Sequence, residues 1–210
     1  MRAMHISPDH PSLLRIVDDL ATRGWSQHDL FLPQDLSLAL AAECLQRAAE
    51  GELAPASVGR GAAQEVVERI RGDHIQWIEP GQAAVCDRYL DVMEGLRQAL
   101  NRGLFLGLEE FECHFAMYPP GAFYRQHLDR FRDDDRRMVS AIIYLNEHWQ
   151  PGDGGQLRMS LADGVVHDVQ PCAGCLVVFL SGDILHEVLP SRRDRLSLTG
   201  WFRRRGNEPF

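Results

Sequence analysis

Tyr118-Pro119-Pro120-Gly121-Ala122-Phe123-Tyr124-Arg125-Gln126-His127-Leu128-Asp129 carries a chain reversal and a chemical pair within twelve residues. Pro119-Pro120-Gly121 is a turn signal, because proline fixes φ and glycine supplies conformations that other residues avoid. The run before it, Glu112 to Tyr118, reads as a strand. Six more β-runs follow: Arg137 to Leu145, Gln156 to Met159, Val165 to Val169, Cys175 to Phe179, His186 to Leu189 and Leu196 to Phe202. Turn residues separate them, notably Pro151-Gly152-Asp153-Gly154-Gly155. Many short strands with Gly/Pro turns imply a sandwich or barrel, and a double-sheet jelly roll leaves few open edges.

The chemical pair is His127-Leu128-Asp129. Side chains alternate faces along an extended strand, so His127 and Asp129 present an imidazole and a carboxylate on one side. His186, on a distant strand, completes a three-ligand cap. Two imidazoles and one carboxylate on one face leave the opposite coordination positions open, the pattern of non-haem Fe(II) oxygenases. Nine residues after His186 comes Arg195-Leu196-Ser197-Leu198-Thr199-Gly200-Trp201-Phe202. Alternation there puts Arg195, Ser197, Thr199 and Trp201 on one face. An inward-facing arginine needs a compensating anion, and its planar fork suits a carboxylate.

Upstream, the apolar period is helical. Pro11 to Ala21 carries Leu13, Leu14, Val17 and Leu20. Pro33 to Glu52 carries Leu36, Leu40, Cys44, Leu45 and Ala48, and Ala83 to Asn101 carries Val85, Tyr89, Val92, Met93, Leu96 and Leu100. These are core-facing stripes to which no chemistry is assigned. Between the second and third helices the second half of Arg71-Gly72-Asp73-His74-Ile75-Gln76-Trp77-Ile78 alternates like a strand. At 210 residues the chain is expected to form one domain, helical over about 1–105 and jelly-roll over about 106–205.

The net charge of −8 argues against nucleic acid as a partner. No targeting segment is read in Met1 to Leu20, and the longest apolar run, Cys175 to Leu180, is too short for a bilayer. Five cysteines imply no disulfide framework, so the expected setting is reducing and cytoplasmic. Cys172-Ala173-Gly174-Cys175 has metal-pair spacing, yet no second Cys/His pair accompanies it and a turn accounts for it. His5, His10, His28, His74, His114, His148 and His167 are read as surface or hydrogen-bonded residues, not ligands.

Taken together, these residues resemble the prolyl 4-hydroxylase branch of the Fe(II)/2-oxoglutarate-dependent oxygenases, in particular the hypoxia-sensor-type enzymes and their bacterial relatives. The similar blocks run from Arg71 to Phe202: Arg71-Gly72-Asp73 with Ile75, Trp77 and Ile78; Tyr118-Pro119 through Tyr124 to Asp129; Ile143-Tyr144-Leu145-Asn146; Gly154 to Arg158; His186-Glu187-Val188 with Pro190; and Arg195 to Phe202. The resemblance implies an α+β fold, a double-stranded β-helix core with N-terminal supporting helices. It implies iron on His127, Asp129 and His186, with the far carboxylate of 2-oxoglutarate meeting Arg195 and Tyr144. Tyr118 and Thr199 then match polar pocket positions, and Trp201 a wall. Arg71 to Ile78 matches a mobile loop that folds over the site and helps choose a protein substrate, with Asp73 expected to pair with Arg137 when the loop is closed.

The implied activity is hydroxylation of a prolyl residue in a protein, including translation or ribosomal factors, using O2 and 2-oxoglutarate, with succinate and CO2 as coproducts and ascorbate as an optional reductant. By the same resemblance, Asp129 points to a hydroxylase, because family relatives that halogenate have a small residue there. Two departures bear on the substrate: the charged segment Arg130 to Arg136, and the looser match before Val66. A monomer is expected. The alternatives are a hydroxylase of a free amino acid or small peptide, and a non-catalytic sensor of iron and 2-oxoglutarate.

Overall fold

The computed structural model describes residues 7–57, 66–67, 69–131 and 134–206, the side chain of residue 163 apart. The readings for His5, Arg132 and Asp133 lie outside the described residues. The helices are α1 (Pro11–Arg23), α2 (Gln34–Ala49) and α3 (Ala84–Leu104). The strands are β1 (Trp25–His28), β2 (Ala54–Pro55), β3 (His74–Trp77), β4 (Leu108–Tyr118), β5 (Tyr124–His127), β6 (Arg137–Tyr144), β7 (Leu157–Ser160), β8 (Val166–Val169), β9 (Leu176–Leu180), β10 (Leu185–Val188) and β11 (Arg195–Arg204).

Local chemistry sets the helix ends. Pro11 occupies the first turn of α1, where its missing N–H costs nothing, and the His10 ring accepts from the Ser12 N–H. Gly24 closes the helix at φ 79°, donating to the Leu20 carbonyl. Leu13, Ile16, Val17 and Leu20 of α1, Leu36, Leu40 and Cys44 of α2, and Tyr89, Val92, Met93, Leu96 and Leu100 of α3 all enter one core. Leu14 and Leu45, expected on those stripes, are instead exposed at 49% and 48%.

Two antiparallel sheets form the rest. The larger runs β1-β9-β6-β11-β4-β3-β2 and the smaller β5-β10-β7-β8. The helices cover one face of the large sheet, burying Val139, Ala141 and Ile143 of β6, Leu176 and Val178 of β9, and Leu198 and Phe202 of β11. The alternate residues Ile142, Tyr144, Val177 and Phe179 face a second core with Leu157, Met159 and Val188 of the small sheet. The central strands are thus buried on both faces, which explains why β9 reads as an unbroken apolar run. The architecture is the double-stranded β-helix with helical support, in the α+β class.

Gly200 shows how tightly β11 meets β4. A Cβ there would stand 2.5 Å from Phe111 Cζ and 2.8 Å from Cys113 Cβ. The CxxC segment forms a turn, with the Cys175 N–H donating to the Cys172 carbonyl and Gly174 at φ 79°. Both thiols are free. None of the described helices is long and apolar enough to cross a membrane.

Candidate active site

The inner face of the jelly roll gathers the residues with the most chemistry. β10 pairs with β5 so that His186 stands opposite His127, with ring centroids 4.3 Å apart. Asp129 follows the end of β5 in a bend, not within the strand as alternation suggested, and the bend still turns its carboxylate to the same side. Its Oδ1 lies 3.5 Å from His127 Nε2 and its Oδ2 3.7 Å from His186 Nε2. One candidate ligand atom from each of the three lies within 4.8 Å of the others, and among the described residues this is the one such cluster of metal-binding types.

Surrounding atoms fix the tautomers and charges. His127 Nδ1 lies 2.7 Å from the Arg125 carbonyl and His186 Nδ1 3.0 Å from the Ile184 carbonyl. Carbonyls only accept, so each Nδ1 carries a proton and Nε2 is the atom of each ring left to face a metal. Ser140 donates to Asp129 Oδ2 at 2.6 Å and sits 2.9 Å from the Ser181 hydroxyl. Burial opposes the Asp129 charge, but the two imidazoles and Ser140 hold its carboxyl well below the usual carboxylate range. Burial also lowers the pKa of His186. An ionised carboxylate beside a neutral imidazole is the state that metal binding needs.

A cavity of about 310 Å³ opens beside these groups. At its buried end Arg195, 2% exposed, donates from Nε to the Gly155 carbonyl at 2.8 Å. Its guanidinium carbon is 5.1 Å from the ring centres of both Tyr118 and Tyr144. Among the described residues no carboxylate pairs with it. The Tyr144 hydroxyl lies near that guanidinium but is buried without a hydrogen bond of ordinary geometry. Burial pushes the phenols of Tyr118 and Tyr144 up, so both stay protonated. Thr199 and Trp201 line the same cavity, and the Trp201 indole N–H is buried and unpartnered.

Trp77 stands at the cavity's open end, 43% exposed, edge-on to His114 at 5.1 Å. The expected Asp73–Arg137 pair is not formed. Asp73 is held by Arg71 through two bonds of 2.8 and 2.6 Å. Arg137 pairs with Glu112 at 2.8 Å and lies 3.6 Å over the Trp201 ring. Each partner is nearer than the one expected: Arg71 is two residues from Asp73, and Glu112 faces Trp201 across β4 and β11.

Four contributors escaped the sequence reading. Ser140 orients Asp129, Gly155 anchors Arg195, Glu112 holds Arg137, and His114 is buried within the cavity wall. Strand alternation points to Ser140, two residues before Ile142 on the inward face of β6. It also points to Glu112 and His114, two apart on β4. The Gly155 contribution is a backbone carbonyl, for which no side-chain signal exists.

A jelly roll presenting two histidines and one aspartate to a cavity that ends in an arginine with no carboxylate partner among the described residues has the make-up of a non-haem iron oxygenase site. Residues 113–203 match the family model of the 2OG-Fe(II) oxygenase superfamily. A Pseudomonas putida prolyl-4-hydroxylase crystal structure is 72% identical, covering 92% of this chain and all of that one, with a TM-score of 0.86. A Trichoplax adhaerens prolyl hydroxylase, solved with a hypoxia-inducible factor peptide fragment, is 27% identical over 96% of this chain and 94% of its own, with a TM-score of 0.81. Mouse prolyl hydroxylase EGLN3 is 30% identical over 95% of this chain and 86% of its own length. The chain therefore belongs to the prolyl hydroxylase family of 2OG-Fe(II) oxygenases. It spans only 27% of the hypoxia-inducible factor prolyl hydroxylase of Caenorhabditis elegans, to which it is 27% identical.

Proposed function

We propose that this protein 4-hydroxylates prolyl residues in a protein substrate, with His127, Asp129 and His186 as the ferrous iron ligands and Arg195 and Tyr144 as the seat of the 2-oxoglutarate far carboxylate. The carrying observation is the buried Arg195 guanidinium, free of any described carboxylate, beside the unpartnered Tyr144 hydroxyl. A buried cation and a buried donor without acceptors are costly, and a carboxylate satisfies both. The iron set fits equally, with an ionised oxygen ligand, Nδ1 protons directed to carbonyls and Nε2 atoms directed inward.

When bound, ferrous iron and 2-oxoglutarate supply the oxidising chemistry with dioxygen, with succinate and CO2 as coproducts and ascorbate as reductant where one is needed. The protein's part is orientation and exclusion of water. Gly155 and the rings of Tyr118 and Tyr144 set the angle of the guanidinium, and Ser140 sets that of the carboxylate. Thr199 and Trp201 wall the cosubstrate space. Trp77, Arg71 and Arg137 line the open end and meet the polypeptide there, with Asp73 buried behind them and holding Arg71. An exposed indole suits the apolar pyrrolidine ring of proline.

The reading extends to a single domain, monomeric and cytoplasmic, without a nucleic-acid partner. Five free cysteines and the net charge of −8 support it. The decisive experiment is mass spectrometry of 4-hydroxyproline in the host proteome with and without the gene, followed by in-vitro hydroxylation of the proteins that change. The expected result is hydroxylation that disappears in the deletion strain, with protein-dependent succinate release in vitro. Succinate release stimulated by free proline alone would overturn the protein-substrate reading.

A further inference from the structure

His127 is the most exposed of the three clustered groups, its side chain 19% accessible against 6% for Asp129 and 4% for His186. It also ends β5, an edge strand of the small sheet. An imidazole at a strand end has less around it to fix its rotamer than one in a core, and the contact from Nδ1 to the Arg125 carbonyl leaves the tilt of the ring to whatever packs on its face. The structure shows a column. The Tyr124 ring stacks on His127 with centroids 3.6 Å apart and planes 20° from parallel. On Tyr124 lies the Arg71 guanidinium, 4.5 Å from the ring centre. Asp73, 2% exposed, clamps that guanidinium through both oxygens.

Backbone bonds tie the two ends of the column together. Arg71 and Tyr124 form an isolated antiparallel bridge, Gly72 N–H donates to the Phe123 carbonyl, and Arg125 N–H donates to the Ile70 carbonyl. The segment that carries Arg71 and Asp73 is therefore fastened to the strand that carries Tyr124 and His127.

We infer that Tyr124, backed by the Arg71–Asp73 clamp, is a positioning residue for His127, and that this stack slows release of the metal ion. The inference rests on the ligand reading above. It assigns the work to the flat face of Tyr124, not to its hydroxyl, and to the planar guanidinium of Arg71. Loss of a group that orients a metal ligand typically weakens metal binding by about 10–100-fold. A lysine at position 71 keeps the charge but cannot stack as a plane.

The test is the rate at which a chelator strips ferrous iron from the full chain, measured anaerobically with saturating 2-oxoglutarate, for wild type, Tyr124→Phe, Tyr124→Ala, Arg71→Lys, Arg71→Ala and His127→Ala. The expected pattern is a rate within about two-fold of wild type for Tyr124→Phe and about ten-fold faster for Tyr124→Ala. Arg71→Lys and Arg71→Ala should be faster than wild type by similar, smaller factors. Thermal melts of the metal-free proteins show which variants fold, and Tyr124→Phe against Arg71→Lys keeps the comparison decisive if Tyr124→Ala does not. Tyr124→Ala releasing iron at the wild-type rate, while His127→Ala retains none, overturns the stack and spares the ligand reading. Equal acceleration in Tyr124→Phe and Tyr124→Ala assigns the effect to the hydroxyl and also overturns it. Tight iron in His127→Ala removes the ligand reading, and the stack with it.

Discussion

At the level of single residues, the site sets one carboxylate that stays ionised beside buried phenols that stay neutral. Asp129 is ionised because two imidazoles and a serine hydroxyl overcome its burial. Asp129→Ala removes the anionic ligand and should lower hydroxylation by more than about 100-fold, beyond the usual cost of losing an outer hydrogen-bond partner. Substrate-coupled succinate release measures it, and near-normal turnover would refute the assignment. His114 supplies a prediction about stability. Burial is the main cause of its pKa being pushed down to about 4, with Asp73 opposing and Arg71 and Arg137 assisting. Above about pH 6.5 neither the folded nor the unfolded chain protonates this ring, and it adds no pH dependence. Below that value the unfolded chain takes up a proton that the folded chain refuses, so stability falls as pH drops toward 4. The loss due to His114 is roughly 2 kcal/mol between pH 7 and pH 5. Urea unfolding of His114→Gln should show a slope between those pH values shallower by that amount, whatever its absolute stability, and an unchanged slope would contradict the burial argument.

Among the elements, the difference between legible and illegible follows from exposure. The three helices are readable because their apolar stripes keep a 3.6-residue period, and β6, β9 and β11 because both their faces are covered. β1, Trp25-Ser26-Gln27-His28, and β5, Tyr124-Arg125-Gln126-His127, are edge strands with polar sequences, and neither run stood out by composition. β4 and β11 extend past their apolar ends because Arg203 bridges Glu110 and Glu112 across the ladder, a pairing no hydropathy pattern announces. The gathering of His127, Asp129 and His186 was legible from spacing, whereas the ion pairs at the open end were not. The Arg137–Glu112 pair is partly exposed, and such pairs differ by only about 0–1 kcal/mol, so geometry decides among several available acids. The close meeting of β11 with β4 gives a prediction at this scale. Gly200→Ala forces a methyl group against Phe111, Cys113 and the Glu112 carbonyl, and should cost about 1–3 kcal/mol. Calorimetry should find Tm lower by about 2–4 °C for each kcal/mol, and no change would mean the strands can part without penalty.

For the whole molecule, metal and cosubstrate bind only the folded chain, so they raise its stability. At 100 times the dissociation constant the gain is about 2.7 kcal/mol, or roughly 5–11 °C in Tm for a chain of this size. Anaerobic melts with ferrous iron and 2-oxoglutarate should show that rise. Arg195→Gln should keep the part due to iron and lose the part due to 2-oxoglutarate, and a variant that responds fully to 2-oxoglutarate would move the diacid seat elsewhere. The pairing of β5 with β10 has a consequence at the same scale. His127 faces His186 only in one alignment of those strands, and sliding either by a single position would turn one imidazole outward. Such a molecule would keep its three helices and its large sheet while being blind to iron. The fraction of a preparation that captures iron stoichiometrically therefore reports how faithfully these two distant strands were aligned.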